Sequence, residues 1–209
     1  MKLHGHPLSP CTRKVLATAA ETAAPIELVT VDLLTGDHKQ AAHLARHPFG
    51  VIPVLDHDGF VLYESQAIMR YLAAGPGGAP LVPVAAQDRA RMDQWLSVAQ
   101  SYIAPHARTL AVQRMVHRPR GLALDLPAIA EAERALRLAY AILDRALAGA
   151  RYLAGEAFSL ADLGVMPYLA SPAVAESVDL LADLRHLERW WQEVSARPSW
   201  RRATAQCDR

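Results

Sequence analysis

Residues 75–83 read Gly-Pro-Gly-Gly-Ala-Pro-Leu-Val-Pro. Three prolines and three glycines in nine residues leave no stretch there that can sustain a helix or a strand. The chain is therefore cut in two, and the two parts carry different patterns. Before the cut, short β-branched runs alternate with helical ones. Strands are predicted at 2–4, 26–31, 53–56 and 60–63, with helices at 12–23, near 39–46 and at 65–74. Between the last two strands, His57-Asp58-Gly59 is a hairpin signal, because Asp-Gly tolerates positive φ. The order is βαβαββα. After the cut, apolar residues recur at helical spacing almost to the end: Met92, Trp95, Leu96, Ala99, Tyr102 and Ile103 form one such stripe, and Leu136, Ala139, Tyr140, Leu143 and Leu147 another. The predicted organisation is an α/β domain over 1–75, a linker over 76–86 and an all-helical domain over 87–209.

Composition narrows the function classes. With 209 residues, 52% hydrophobic and 21% charged, the chain reads as a soluble globular protein that can bury a sizeable core. A formal net charge of +1 gives no footprint for a nucleic-acid or membrane-surface partner. Neither a charged-then-apolar leader nor a long apolar run is read. Cys11 and Cys207 stand near opposite ends and do not resemble a disulfide framework, so a cytoplasmic location is the expectation. No Cys-x-x-Cys spacing accompanies the nine histidines, and no metal site is predicted.

The candidate chemistry lies in the first part. Pro53 opens a strand, where a missing N–H costs least. If the Ile52-Pro53 bond is cis, the backbone of Ile52 turns outward and can pair with a bound peptide; the ordinary alternative is a trans proline. Glu64-Ser65 sits between a strand and a helix. Ser65 is predicted to cap that helix, whose N-terminus attracts a carboxylate, while Glu64 can pair with an ammonium. Ser9-Pro10 opens the first helix, and the Ser9 hydroxyl can donate to a thiolate and lower its pKa. Cys11 reads first as a small hydrophobe and second as a thiol activated by the helix dipole. His38 and Lys39, after a turn, read either as solvated residues or as donors to a second carboxylate. Ser159-Leu-Ala-Asp162 is a capping box, with Phe158 and Leu163 spaced as a hydrophobic staple.

Four motifs together resemble the soluble glutathione transferases: His-Pro-Phe-Gly-Val-Ile-Pro-Val-Leu at 47–55, Tyr-Glu-Ser-Gln-Ala-Ile-Met-Arg-Tyr-Leu at 63–72, Tyr-Leu-Ala-Gly-Glu-Ala-Phe-Ser-Leu-Ala-Asp-Leu at 152–163 and Arg-Pro-Ser-Trp at 197–200. Residues 5–16 and 31–39 are most similar to the phi class. The resemblance covers nearly the whole chain. It implies a thioredoxin-like N-terminal domain, an all-helical C-terminal domain and a cis Pro53. It implies glutathione as co-substrate, with no permanently bound cofactor, held at His38, Lys39, Val51, the backbone of Ile52, Pro53, Glu64 and Ser65. Ser9 matches the catalytic serine that stabilises the glutathione thiolate, with Cys11 as the alternative. The thiolate would attack a hydrophobic electrophile, or reduce an organic hydroperoxide, in a pocket lined by Leu8, Tyr102, Ile103, His106 and Met115, with Met166 nearby. The same residues serve equally well as core. A homodimer is also implied, with Phe49 reaching the partner or packing under its own loop.

The chain departs from the class at Val51, where a glutamine is usual, so one side-chain hydrogen bond to glutathione is missing. Two other functions fit the same residues. One is a ligand-binding protein without catalysis. The other is a thiol transferase that depends on Cys11.

Overall fold

The computed structural model describes residues 1–75, 80–177 and 180–205. The chain forms two compact units, residues 1–81 with 196–209, and residues 82–195. Of the predicted linker, residues 76–79 lie outside the described residues, as does Cys207.

The first unit runs β1 (Lys2–Gly5), α1 (Pro10–Glu21), β2 (Glu27–Thr30), a 3-10 turn (Asp37–Lys39), α2 (Ala41–Leu44), β3 (Val54–His57), β4 (Phe60–Tyr63) and α3 (Ser65–Ala73). The sheet order is β2-β1-β3-β4. β1 and β2 are parallel, joined by the helical crossover that a parallel pair requires, while β3 is antiparallel to both β1 and β4. This is the thioredoxin-like order. Asp58 and Gly59 have φ of 53° and 91°, as a two-residue hairpin turn demands. β3 begins at Val54, one residue later than predicted, because Pro53 has no N–H to enter the ladder. The single helix predicted near 39–46 is two short pieces, separated at Gln40 by extended backbone (φ −72°, ψ 150°). Leu3, Val15, Leu55, Ile68 and Met69 are fully buried where α1 and α3 cover one sheet face. Each such side chain contributes about 1.5–3 kcal/mol.

The chain end returns to this unit. Helix α10 (Pro198–Thr204) packs on α1. The sequence pattern assigns residues 87–209 to one helical domain, whereas the contacts group the segment from Ala196 onward with the first unit.

In the second unit, α4 (Ala86–Val98) continues through a π turn (Ala99–Ile103) into α5 (Ala104–Ala111) and a second π turn (Val112–His117). Helices α6 (Leu126–Leu147), α7 (Leu160–Leu169), α8 (Pro172–Ala175) and α9 (Arg185–Ser195) follow. The first π turn breaks the predicted stripe. Its wider turn shifts the helical phase, so Ala99 and Ile103 stay buried while Tyr102 is 64% exposed. α7 is buried along its whole length, and a Cβ on Gly164 would come 2.6 Å from Leu96 Cδ2, so a glycine there lets α7 approach α4. The capping box forms: Ser159 accepts from Ala161 N, and Asp162 reaches back to Ser159 N at 2.9 Å. No described helix is long and apolar enough to cross a membrane.

Candidate functional site

Strand register gathers the candidate residues at one end of the sheet. Gly5 lies opposite Thr30, so the loops that leave β1 and β2 start side by side. His4 lies opposite Val54 on the antiparallel β3, so the entrance of β3 sits beside the exit of β1. Val54 lies opposite Tyr63, which brings in the β4–α3 junction. Four connections therefore meet there, in the order 31–39, 6–9, 51–53 and 64–65.

The β1–α1 connection is braced. Arg13 Nε donates to Pro7 O at 2.8 Å, Leu8 N to His6 Nδ1 at 3.2 Å, and His6 N to Thr12 Oγ1 at 3.3 Å. A Cβ on Gly5 would stand 2.6 Å from Thr12 Oγ1, so only glycine allows this turn to close. Ser9 is the N-cap of α1. Its oxygen accepts from Thr12 N at 3.4 Å, which leaves the hydroxyl hydrogen to donate elsewhere. Cys11 is half-buried in the first turn of α1.

At the β2 side, Gly36 takes a left-handed conformation (φ 82°) and sets up the turn that carries His38 and Lys39. Burial, then the neighbouring Lys39 and His43, hold the His38 pKa below its ordinary value, and its Nδ1 is buried without a partner. Lys39 Nζ donates to Gly50 O at 2.9 Å and to Phe49 O at 3.4 Å.

The loop before β3 ends in a cis Ile52–Pro53 bond. Val51 is exposed, Ile52 half-buried and Pro53 buried. His47 is 1% exposed and stacks on Tyr63 with ring centroids 4.5 Å apart. Burial lowers its pKa, against the attraction of Glu64. His43, 4% exposed, places Nε2 at 2.8 Å from Val51 O. Phe49 meets His47 and Tyr63 only edge-on and is 71% exposed.

At the β4–α3 junction the cap differs from prediction. Glu64, not Ser65, is the N-cap, and Ser65 is the first helical residue, 6% exposed. Glu64 has φ 68°, a conformation that costs a non-glycine residue about 1–3 kcal/mol and that clusters at ligand clamps. It makes no side-chain cap, so its carboxylate is available at the helix N-terminus.

The electrophile candidates divide by exposure. Leu8, in the first unit, is 42% exposed. In the second unit Tyr102 is exposed, His106 and Met115 are half-buried, and Met115 lies on the second π turn. Ile103 and Met166 are fully buried and serve as core. Among the described residues no group of three or more His, Cys, Asp or Glu could hold a metal ion.

The contacts of two residues escaped the sequence reading. His43 lies among alanines and Leu44, and its partner stands eight residues on, across a turn, so its local spacing gives no sign of that bond. His47 opens the motif at 47–55, but its burial depends on Tyr63 from another strand.

Family models for the glutathione S-transferase N-terminal domain and C-terminal domain match residues 3–80 and 103–198. Glutathione S-transferase F9 of Arabidopsis thaliana is 33% identical, over 98% of this chain and 96% of its own. The crystal structure of glutathione transferase F7 from Populus trichocarpa superposes with a TM-score of 0.87 at 34% identity, covering 98% of this chain and 97% of that one. A glutathione S-transferase-I structure bound with lactoylglutathione matches with a TM-score of 0.85 at 26% identity, covering 98% of each chain.

Proposed function

This chain belongs to the glutathione S-transferase family, and on that premise we propose that it is an enzyme that binds glutathione at the shared end of its sheet and activates the thiol. The observation that carries the reading is the meeting of four unlike groups at that end: a helix-capping hydroxyl, a cationic turn, an edge-like backbone before β3, and a carboxylate beside a helix N-terminus. From the first connection to the last are three strand spacings, about 14 Å. An extended tripeptide reaches about 10 Å along its backbone, and its terminal carboxylates add to that.

The assignments follow from charge. The γ-glutamyl carboxylate sits at the N-terminus of α3, on Ser65, and the γ-glutamyl ammonium pairs with Glu64. The backbone of Ile52 pairs with the peptide. The glycyl carboxylate takes Lys39, which first releases the carbonyls of Gly50 and Phe49. Ser9 donates its hydroxyl hydrogen to the sulfur, favours the thiolate and so raises the share of glutathione able to attack at neutral pH. The thiolate adds to a hydrophobic electrophile, or attacks the terminal oxygen of an organic hydroperoxide. In the second case the O–O bond breaks and the alcohol leaves once its oxygen takes a proton. A second glutathione thiol then converts the resulting sulfenic acid to glutathione disulfide and water. We further propose a homodimer, because the exposed Phe49 ring offers an apolar contact to a second copy.

The test is Ser9→Ala assayed with glutathione against a panel of electrophiles and hydroperoxides. The expected loss is about ten- to a hundredfold at saturating glutathione, the worth of one hydrogen bond to a charged group. An unchanged rate removes Ser9 from the mechanism. Loss of activity in Cys11→Ser, together with a glutathione adduct on Cys11, moves the chemistry to that thiol. Glutathione binding with no turnover of any substrate leaves a ligand-binding protein.

A further inference from the structure

Three successive carbonyls of the loop before Ile52 are held by donors from one short segment. Lys39 Nζ holds Phe49 O and Gly50 O, and His43 Nε2 holds Val51 O. A carbonyl only accepts, so His43 Nε2 carries the proton and is the donor. The two donors differ in kind. Lys39 is exposed and ends in a mobile ammonium that the proposed binding mode turns toward the ligand. His43 is 4% exposed on α2, and its ring is packed in place.

The Val51–Ile52 peptide is one rigid plane, and in this trans unit the C=O and the N–H point in opposite directions. Whatever holds Val51 O inward therefore aims the Ile52 N–H the other way. We propose that His43 is a positioning residue for glutathione. Its hydrogen bond to Val51 O fixes the peptide plane that presents Ile52 to the ligand backbone, and does so after Lys39 has let go of the neighbouring carbonyls. The inference rests on the glutathione site proposed above. It adds a residue that touches no ligand and acts through the loop.

The test compares wild type with His43→Leu, His43→Asn and His43→Gln. Glutathione affinity is measured by calorimetry and turnover with 1-chloro-2,4-dinitrobenzene. Gln carries an amide N–H close to the place of Nε2, whereas Asn carries it one bond short and Leu has none. Leu and Asn are expected to raise both Kd and KM for glutathione about tenfold, as for losing one partner of a buried hydrogen bond. The kcat at saturating glutathione stays within about twofold, because the group acts on binding and not on the thiolate. Gln is expected to restore Kd to within about twofold of wild type. A purely structural role would lower kcat or the folded fraction and leave Kd alone, and that result overturns the proposal. So does a Gln variant as weak as Leu, or Leu and Asn variants that bind like wild type. Should Leu not fold, the Gln and Asn pair decides alone. A wild type that binds no glutathione removes the parent reading and this one with it. A wild type that binds, with indifferent His43 variants, removes only this one.

Discussion

Arg197 grips Glu21 with both ends of its fork: Nε donates to Oε1 at 2.7 Å and Nη2 to Oε2 at 2.8 Å. Ser199 Oγ donates to the same carboxylate. These contacts tie α10 to the C-terminal turn of α1, the helix whose other end is capped by Ser9. Burial would raise the Glu21 pKa, but the donors from Arg197 and Ser199 outweigh it, and the carboxyl lies below its ordinary 4.5. A depressed acid contributes stability that is fully present above its unfolded value and is lost as pH falls through the folded one. Glu21→Gln should therefore cost about 1–3 kcal/mol at neutral pH. The gap between variant and wild type should close as pH drops below 4.5. Urea midpoints measured across acid pH check both halves.

Val51 is 37% exposed, so a longer polar side chain there needs no buried space. Val51→Gln should add one hydrogen bond to glutathione, worth about 1 kcal/mol, and lower its Kd about fivefold. Calorimetry reads this directly. An unchanged Kd would show that residue 51 does not reach the ligand.

Asp162 accepts four bonds inside the helical unit, from Leu153 N, Ser159 N, Ser159 Oγ and Trp190 Nε1. Burial pushes its carboxyl up, and the four donors pull the other way. Asp162→Ala removes the Asp162 half of the α7 capping box and leaves buried donors unpaired. The expected loss is about 3–5 kcal/mol. A denaturant midpoint that falls with an unchanged slope checks it.

Phe49 is 71% exposed at the tip of the loop that also carries Val51. If a second copy covers it, Phe49→Ser should weaken self-association at least about tenfold, the worth of burying one aromatic ring. Sedimentation across a concentration series measures the shift. A wild type that stays monomeric at high concentration ends the argument.

Much of the fold was legible because its signals act over three or four residues. Ser9-Pro10 opens α1, Asp58-Gly59 turns the hairpin, Ser159 and Asp162 cap α7, and the order of elements along the first part follows from alternation of patterns. The site was legible as a set of residue types, carried by the motifs at 47–55 and 63–72. Several details were not. Glu64 rather than Ser65 caps α3, because strand and helix meet there at a positive φ that no propensity announces. Tyr102 leaves its stripe, because a π turn changes the phase of the helix.

The sequence by itself determined which elements form and which polar groups are offered, since caps, turns and periodicity are settled between near neighbours. Only the tertiary structure decided what those groups touch. Lys39 spends its charge on Gly50 O, His43 holds Val51 O, Trp190 finds Asp162 from 28 residues away and Arg197 finds Glu21 from 176. The physical reason is that a buried donor must find an acceptor wherever packing brings one within reach, and packing joins residues that no local pattern relates.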